Sequence, residues 1–339
     1  MFTVLRHFSS TADVANPQGN LVIGSDGNFY GITRRGGSTG YGTIFKVTPA
    51  GVYTVLRSLA NATDGGYCYG SLAGSSDGNF YGITSSGGLN NNGTIFKVTP
   101  TGTYTVLRNM KSTTDGFSNS YPNNLVSSAD GFLYGLCNYG GTNSQGTIFK
   151  INKTGTTFTV LRNLSHTTDG SAPRSSLIVG TDGNLYGTNS NGGPNGKGTI
   201  FKITPTGTFT VLRSLTLATD GGTPAGALFK GTDGNYYGMT SDGGSNFFGT
   251  IFKISPTGTF TVLTRLNGGI IGNTPYESLI QGTDFGYYGT TLNGGVNNRG
   301  SIFKICGGVY SVLYSFINPG VLVYQKEVWY RQVMEIFME

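Results

Sequence analysis

Short apolar runs, each closed by a turn signal, follow one another along the whole chain in a fixed order. Residues 177–213 show one cycle. Leu177-Ile178-Val179 is apolar, Thr181-Asp182-Gly183-Asn184 is a turn signal, and Leu185-Tyr186-Gly187-Thr188 resumes the run. Asp-Gly between two β-type segments predicts a tight hairpin, because glycine accepts the positive φ that such a turn needs. A loop holding the doublet Gly192-Gly193 comes next, then Gly198-Thr199-Ile200-Phe201-Lys202-Ile203. Pro205-Thr206-Gly207 closes a second hairpin, and Phe209-Thr210-Val211-Leu212-Arg213 ends the cycle. The pattern predicts four short antiparallel strands, here A to D, and it has no helical period.

The cycle is written six times. Asp-Gly-Asn-Phe-Tyr-Gly at 26–31 returns, with small changes, every 51 to 53 residues up to 284–289. Gly-Thr-Ile-Phe-Lys keeps step with it from 42–46 to 249–253, and as Gly-Ser-Ile-Phe-Lys at 300–304. A unit repeated this regularly buries itself against its neighbours. Four strands per fifty residues therefore predict an all-β propeller of four-stranded antiparallel blades. The strand D phrase occurs once more than the others, since Thr3-Val4-Leu5 precedes the first full unit and Ser311-Val312-Leu313 ends the last. Six blades and seven are both open. Residues 1–315 are expected to form the propeller and 316–339 a distinct tail. In that tail Trp329, Val333, Ile336 and Phe337 fall on a helical stripe, which suits a cap on the last blade or a docking element.

The A–B hairpin resembles that of NHL-type propeller repeats, and the glycine doublet after strand B is similar to that of kelch repeats. The fuller likeness is to the GloVer-type tandem repeat of bacterial "choice-of-anchor" proteins. Its Asp-Gly-Asn-Leu-Tyr-Gly, glycine doublet, Gly-Thr-Ile-Phe-Lys-Ile-Thr-Pro-Thr-Gly and Thr-Val-Leu are matched by residues 182–212, and the resemblance runs over about 2–315. It implies an exported or cell-surface protein with no assigned chemistry, and so it transfers no catalytic residues.

Composition narrows the classes further. The chain holds 57 glycines in 339 residues, at fixed offsets, so they mark turns rather than disorder. Net charge is +6, but the repeat spreads it evenly. Six lysines of the Ile-Phe-Lys phrase and five arginines of the Thr-Val-Leu-Arg phrase make up half of the 22 basic residues. A nucleic-acid interface clusters its charge on one face; a solvated rim is expected instead. Cys68, Cys137 and Cys306 form no disulfide framework. No apolar run is long enough to span a bilayer, and no signal peptide is read at the start.

Of twelve aspartates, six are A–B turn residues and five sit in the D–A connections, among them Asp64, Asp115, Asp169 and Asp220. Turn formation accounts for them better than calcium, which gathers several carboxylates in one loop. The A strands expected to line the central channel carry no histidine or carboxylate, and Lys230 is their one charge. Glu277, just before the sixth, is the nearest acid. The two histidines, His7 and His166, lie on or just after strand D and are expected to be exposed. No set of converging ligands or bases emerges, so neither a catalytic group nor a metal or cofactor is predicted. The B–C loops vary between copies and share one face with the D–A connections. Tyr41, Tyr139, Phe247, Phe248 and Arg299 are the candidate contacts for a protein or glycan partner. The expected protein is a monomeric, non-catalytic binding scaffold. A hydrolase or lyase using Lys230 and Glu277 at the channel mouth, and a purely structural surface repeat, are the alternatives.

Overall fold

The computed structural model describes residues 15–17, 19–118, 124–269, 272–275 and 278–316. The leading Thr3-Val4-Leu5 phrase, His7, Glu277 and the tail stripe of Trp329 to Phe337 lie outside them. Six separate antiparallel sheets follow one another along the chain, each in the order A-B-C-D. In the fourth sheet these strands are Ile178–Val179, Leu185–Asn189, Thr199–Ile203 and Phe209–Ser214. Strand A is a two-residue stub in most sheets, whereas in the fifth it runs through Gly222–Lys230. The one α-helical turn among the described residues, Asn61–Asp64, lies in the first D–A connection.

Strand C reads as a nearly unbroken apolar run because both faces of each sheet are covered. Ile200 faces the fifth sheet, while Phe201 and Ile203 face the third. Five such seams join the six sheets in series. At each, strand B and C side chains of one sheet meet the strand A leucine and strand C phenylalanine of the next. Tyr30, Ile32 and Ile44 packed on Leu72, Phe80 and Phe96 are an example. A buried side chain of this size contributes roughly 1.5–3 kcal/mol over the exposed state. Strand D carries a β-bulge against strand C at the same place in every sheet. An added residue on one strand turns two consecutive side chains to one side. In the fourth sheet these are Leu212 and Arg213, and both reach the fifth sheet.

The A–B turns are as the Asp-Gly signal predicts. The Asp182 carboxylate accepts from the Asn184 N–H (3.1 Å), the Asn184 amide (2.7 Å) and the Tyr186 hydroxyl (2.8 Å). At Asp284 the Lys304 ammonium, 2.6 Å away, is the main influence, with Tyr288 second, and together they hold the carboxyl at about 2. At Asp77, Asp182 and Asp233 burial pushes the pKa up, but hydrogen bonds from tyrosine and asparagine outweigh it and the net shift is down. A carboxyl held below its unfolded value stabilises the fold above that value and gives the stabilisation up as pH falls through the folded one. For Asp284 that window runs from the ordinary 3.8 down to about 2. The Asp284→Asn variant is therefore expected to lose less of its unfolding midpoint between pH 5 and pH 2 than wild type, and equal losses contradict this role.

Candidate recognition face

Among the described residues, four of the D–A connections lie between two B–C loops and are bonded to both. On one side the second glycine of the doublet donates to the connection's carbonyls: Gly88 to Asn61 (2.8 Å), Gly141 to Ser112 (2.8 Å) and Gly193 to His166 (2.7 Å). The first glycine has φ near +70°, and a Cβ on it would run into the same connection; at Gly192 that obstacle is the His166 carbonyl. The doublet is thus a packing device, not a phosphate loop. On the other side, one residue of the connection donates its N–H to the loop of the preceding sheet. Tyr67 reaches Tyr41 (3.1 Å), Thr223 reaches Lys197 (3.0 Å) and Thr274 reaches Phe248 (3.4 Å). These donors sit at φ of 50° to 55° without being glycine. Such a conformation costs on the order of 1–3 kcal/mol and persists only where surroundings impose it.

The connections also hold part of the repeat's charge, and for four of its arginines the expectation of a merely solvated rim is corrected. Arg57, Arg108, Arg162 and Arg213 each grip an aspartate seven residues on, through Nε and Nη2 at 2.7–2.9 Å. The four aspartates, Asp64, Asp115, Asp169 and Asp220, are buried. Each guanidinium also lies over an aromatic ring of the next sheet's strand D, 4.3 Å away for Arg108 on Phe158. The aspartate carbonyl then accepts from a strand C threonine of that sheet, as Thr199 does to Asp169 at 2.6 Å. These aspartates are therefore inter-sheet clamps, not turn residues alone. The fifth connection has Thr264 and Ile271 at the corresponding positions, so both partners are lost together.

At the loop-side end of the A strands a collar of hydrogen bonds passes from sheet to sheet. The N–H of Asn20 donates to Ser71 Oγ (2.7 Å), that of Ser71 to Asn124 Oδ1 (2.5 Å) and that of Asn124 to Ser176 Oγ (3.2 Å). The N–H of Ala227 donates to Ser278 Oγ at 2.8 Å. All six residues directly precede the strand A leucine, and only Ala227 has no side-chain acceptor to offer Ser176. The signal was in the sequence, as Asn or Ser at five of six copies, but only the ring of sheets gives it meaning. Ala227→Ser is expected to close this link and add about 1 kcal/mol, or about 2 °C in the unfolding midpoint. An unchanged or lower midpoint contradicts the collar.

Against this frame the candidate contacts separate. Tyr41, Phe248 and Arg299 occupy one repeat position, the last residue of the B–C loop. Phe247 and Phe248 are 69% and 39% exposed, and Tyr139 is 37% exposed beside Phe117. Tyr41 is half-buried, edge-on to Tyr67 at 5.4 Å, and Arg299 is half-buried. Phe247 and Phe248 share the loop of the fifth sheet, while Tyr41, Tyr139 and Arg299 belong to the first, third and sixth. Lys230 is exposed beside the A–B turn, at the far end of its strand from the loops.

The described side chains offer few reactive groups. His166 is exposed and its Nδ1 lies 2.8 Å from Ser171 Oγ, a pairing the sequence reading missed. Ser171 is itself buried, and the neighbouring Asp169 is held by Arg162. Burial pushes the Cys68 and Cys137 thiols up to about 12, away from the thiolate. Among the described residues no group of three or more His, Cys, Asp or Glu is placed to hold a metal, and no helix is long and apolar enough to cross a membrane.

Solved structures share this frame at low identity. The periplasmic gluconolactonase PpgL of Pseudomonas aeruginosa aligns with a TM-score of 0.57 at 18% identity, over 91% of this chain and 86% of its own. The extracellular domain of the one-component system candidate BT4673 from B. thetaiotaomicron aligns with a TM-score of 0.55 at 16% identity. That alignment takes in 90% of this chain but only 36% of the other, so this chain spans about a third of that protein's length. Such likeness shows the β-propeller fold and nothing of its chemistry. A comparison with curated proteins finds no match. The Gloeobacter/Verrucomicrobia repeat matches residues 1–121 and again 121–328, and with nearly the whole length accounted for, the chain belongs to that repeat family.

Proposed function

We propose that the chain is a non-catalytic, exported β-propeller that presents its B–C loops and D–A connections to a protein or glycan partner. The propeller domain is taken as residues 1–315, with 316–339 as an appended tail. One observation carries the reading. The arginine–aspartate pairs that the repeat writes again and again hold sheets together, while aromatic side chains that depart from the repeat stand exposed on the loops. Departures on one face of a rigid array are where recognition usually lies. A location outside the cytoplasm takes its support from the repeat family and from the periplasmic and extracellular proteins that share the frame.

Glycan arrays and pull-downs with the purified protein test the reading. A partner is expected whose binding weakens in Phe247→Ser, Phe248→Ser or Tyr139→Ser and is unchanged in Lys230→Met. No partner, or a partner indifferent to every loop-face change, sinks it. The lactonase title of PpgL belongs to a protein 18% identical and supplies no reaction for this chain.

A further inference from the structure

The seam between the first two sheets departs from the repeat more than any other. Its five loop-face positions hold Arg34, Arg35, Tyr41, Tyr67 and Tyr69. The corresponding residues at the fourth seam are Ser190, Asn191, Lys197, Thr223 and Ala225. The fold brings four of the five together, since Arg35 follows Arg34 along the strand Phe29–Arg35 and points to its opposite face. The Arg34 guanidinium carbon lies 4.4 Å from the centre of the Tyr69 ring. Tyr67 donates its N–H to the Tyr41 carbonyl at 3.1 Å, and the two rings meet edge to face. A Cβ on Gly42, the neighbour of Tyr41, would lie 3.1 Å from the Arg34 carbonyl, so the tyrosine pair and the arginine adjoin. Tyr67 keeps φ at +55°, a strained conformation for an aromatic residue.

The charge here is used differently from the clamps. Among the described residues neither Arg34 nor Arg35 has an ion-pair partner, whereas Arg57 nearby is bound to Asp64. Arg34 Nε is shielded from water with no hydrogen-bond acceptor. A buried donor left in that state costs free energy, and it shows that the fold itself does not settle this guanidinium as it settles those of the clamps.

We infer that this seam binds a carboxylated saccharide, an inference that rests on the loop-face reading above and specifies its ligand. The guanidinium fork of Arg34 matches a carboxylate in two parallel hydrogen bonds. The half-buried tyrosines Tyr41 and Tyr67 supply apolar surface for the C–H face of a sugar ring, and Tyr69 positions the Arg34 guanidinium that stacks on it. One charged anchor among aromatic faces suits an acidic sugar better than a phosphate chain, which calls for a longer basic track.

Titration calorimetry with polygalacturonate, alginate and hyaluronate fragments tests this, with methyl-esterified polygalacturonate and oligothymidylate as comparison arms. At least one acidic saccharide is expected to bind at low salt, and more weakly as salt is raised. The neutral ester and the oligonucleotide should bind at least tenfold more weakly. Arg34→Met and Tyr69→Ala should each cost at least tenfold while leaving the unfolding midpoint in place. No binding by any acidic saccharide, binding that survives Arg34→Met, or preference for the ester or the oligonucleotide overturns the inference. A partner lost in Phe247→Ser or Phe248→Ser but retained in Arg34→Met leaves the loop-face reading standing and removes this one.

Discussion

Gly192→Ala is expected to lower the unfolding midpoint by roughly 4–10 °C, whereas Gly183→Ala should lower it by only a few degrees. Both glycines have φ near +70°. The left-handed conformation costs a residue with a Cβ roughly 1–2 kcal/mol at either site. They differ in space. Nothing lies within 4 Å of a Cβ at Gly183, at the tip of an A–B turn. At Gly192 the added carbon meets the His166 carbonyl, and the ring Nδ1 stands 2.8 Å away. Backbone cannot step aside as a flexible side chain can, so overpacking adds roughly 1–3 kcal/mol. Scanning calorimetry of the two variants checks the contrast. Equal losses mean that the doublet serves φ alone and does not nest the D–A connection.

The second large effect concerns the clamp. Arg162→Thr leaves the Asp169 carboxylate buried, with the Ser165 N–H and the Thr168 hydroxyl as its remaining donors. Removing one partner of a buried pair costs roughly 3–5 kcal/mol, because the other stays charged and poorly solvated. Asp169→Ile alone is expected to cost less, since the Arg162 side chain is 40% exposed and water can take the place of the carboxylate. The double change Arg162→Thr with Asp169→Ile reproduces the pairing written at Thr264 and Ile271. It should restore at least about 2 kcal/mol relative to the sum of the single changes. Denaturant unfolding of wild type, both singles and the double gives the coupling directly. A coupling near zero removes the clamp as a stabilising device.

Much of this fold was legible because its strongest signals are local. Asp-Gly at 182–183, Pro205-Thr206-Gly207 and the apolar phrase around Phe201 each fix a strand or turn within a few residues, and all stand where the pattern puts them. Repetition then implies face-to-face packing. The inter-sheet chemistry was not legible, for a physical reason. Arg162 reaches Asp169 across a connection and then touches Phe209 of another sheet, and neither contact follows from strand period or turn propensity. The constant spacing of seven residues and the joint loss at 264 and 271 were the available signs. The Arg34 seam was hidden in the same way. Arg34 and Tyr69 lie 35 positions apart in the sequence, and only the stacking of two sheets makes them neighbours. The exposed aromatics Phe247 and Phe248 were found from loop variability, but that signal does not separate a contact from a residue free to drift.

The central claim divides the arginines in two: those that the repeat copies ahead of a buried aspartate lock sheets together, and Arg34, which departs from the repeat, does not. Thermal unfolding of Arg57→Met and Arg34→Met beside wild type tests that division most directly. Arg57→Met, which strands the buried Asp64, is expected to melt about 6–10 °C below wild type, and Arg34→Met to melt with it. Equal midpoints for the two variants, or a larger loss in Arg34→Met, contradict it.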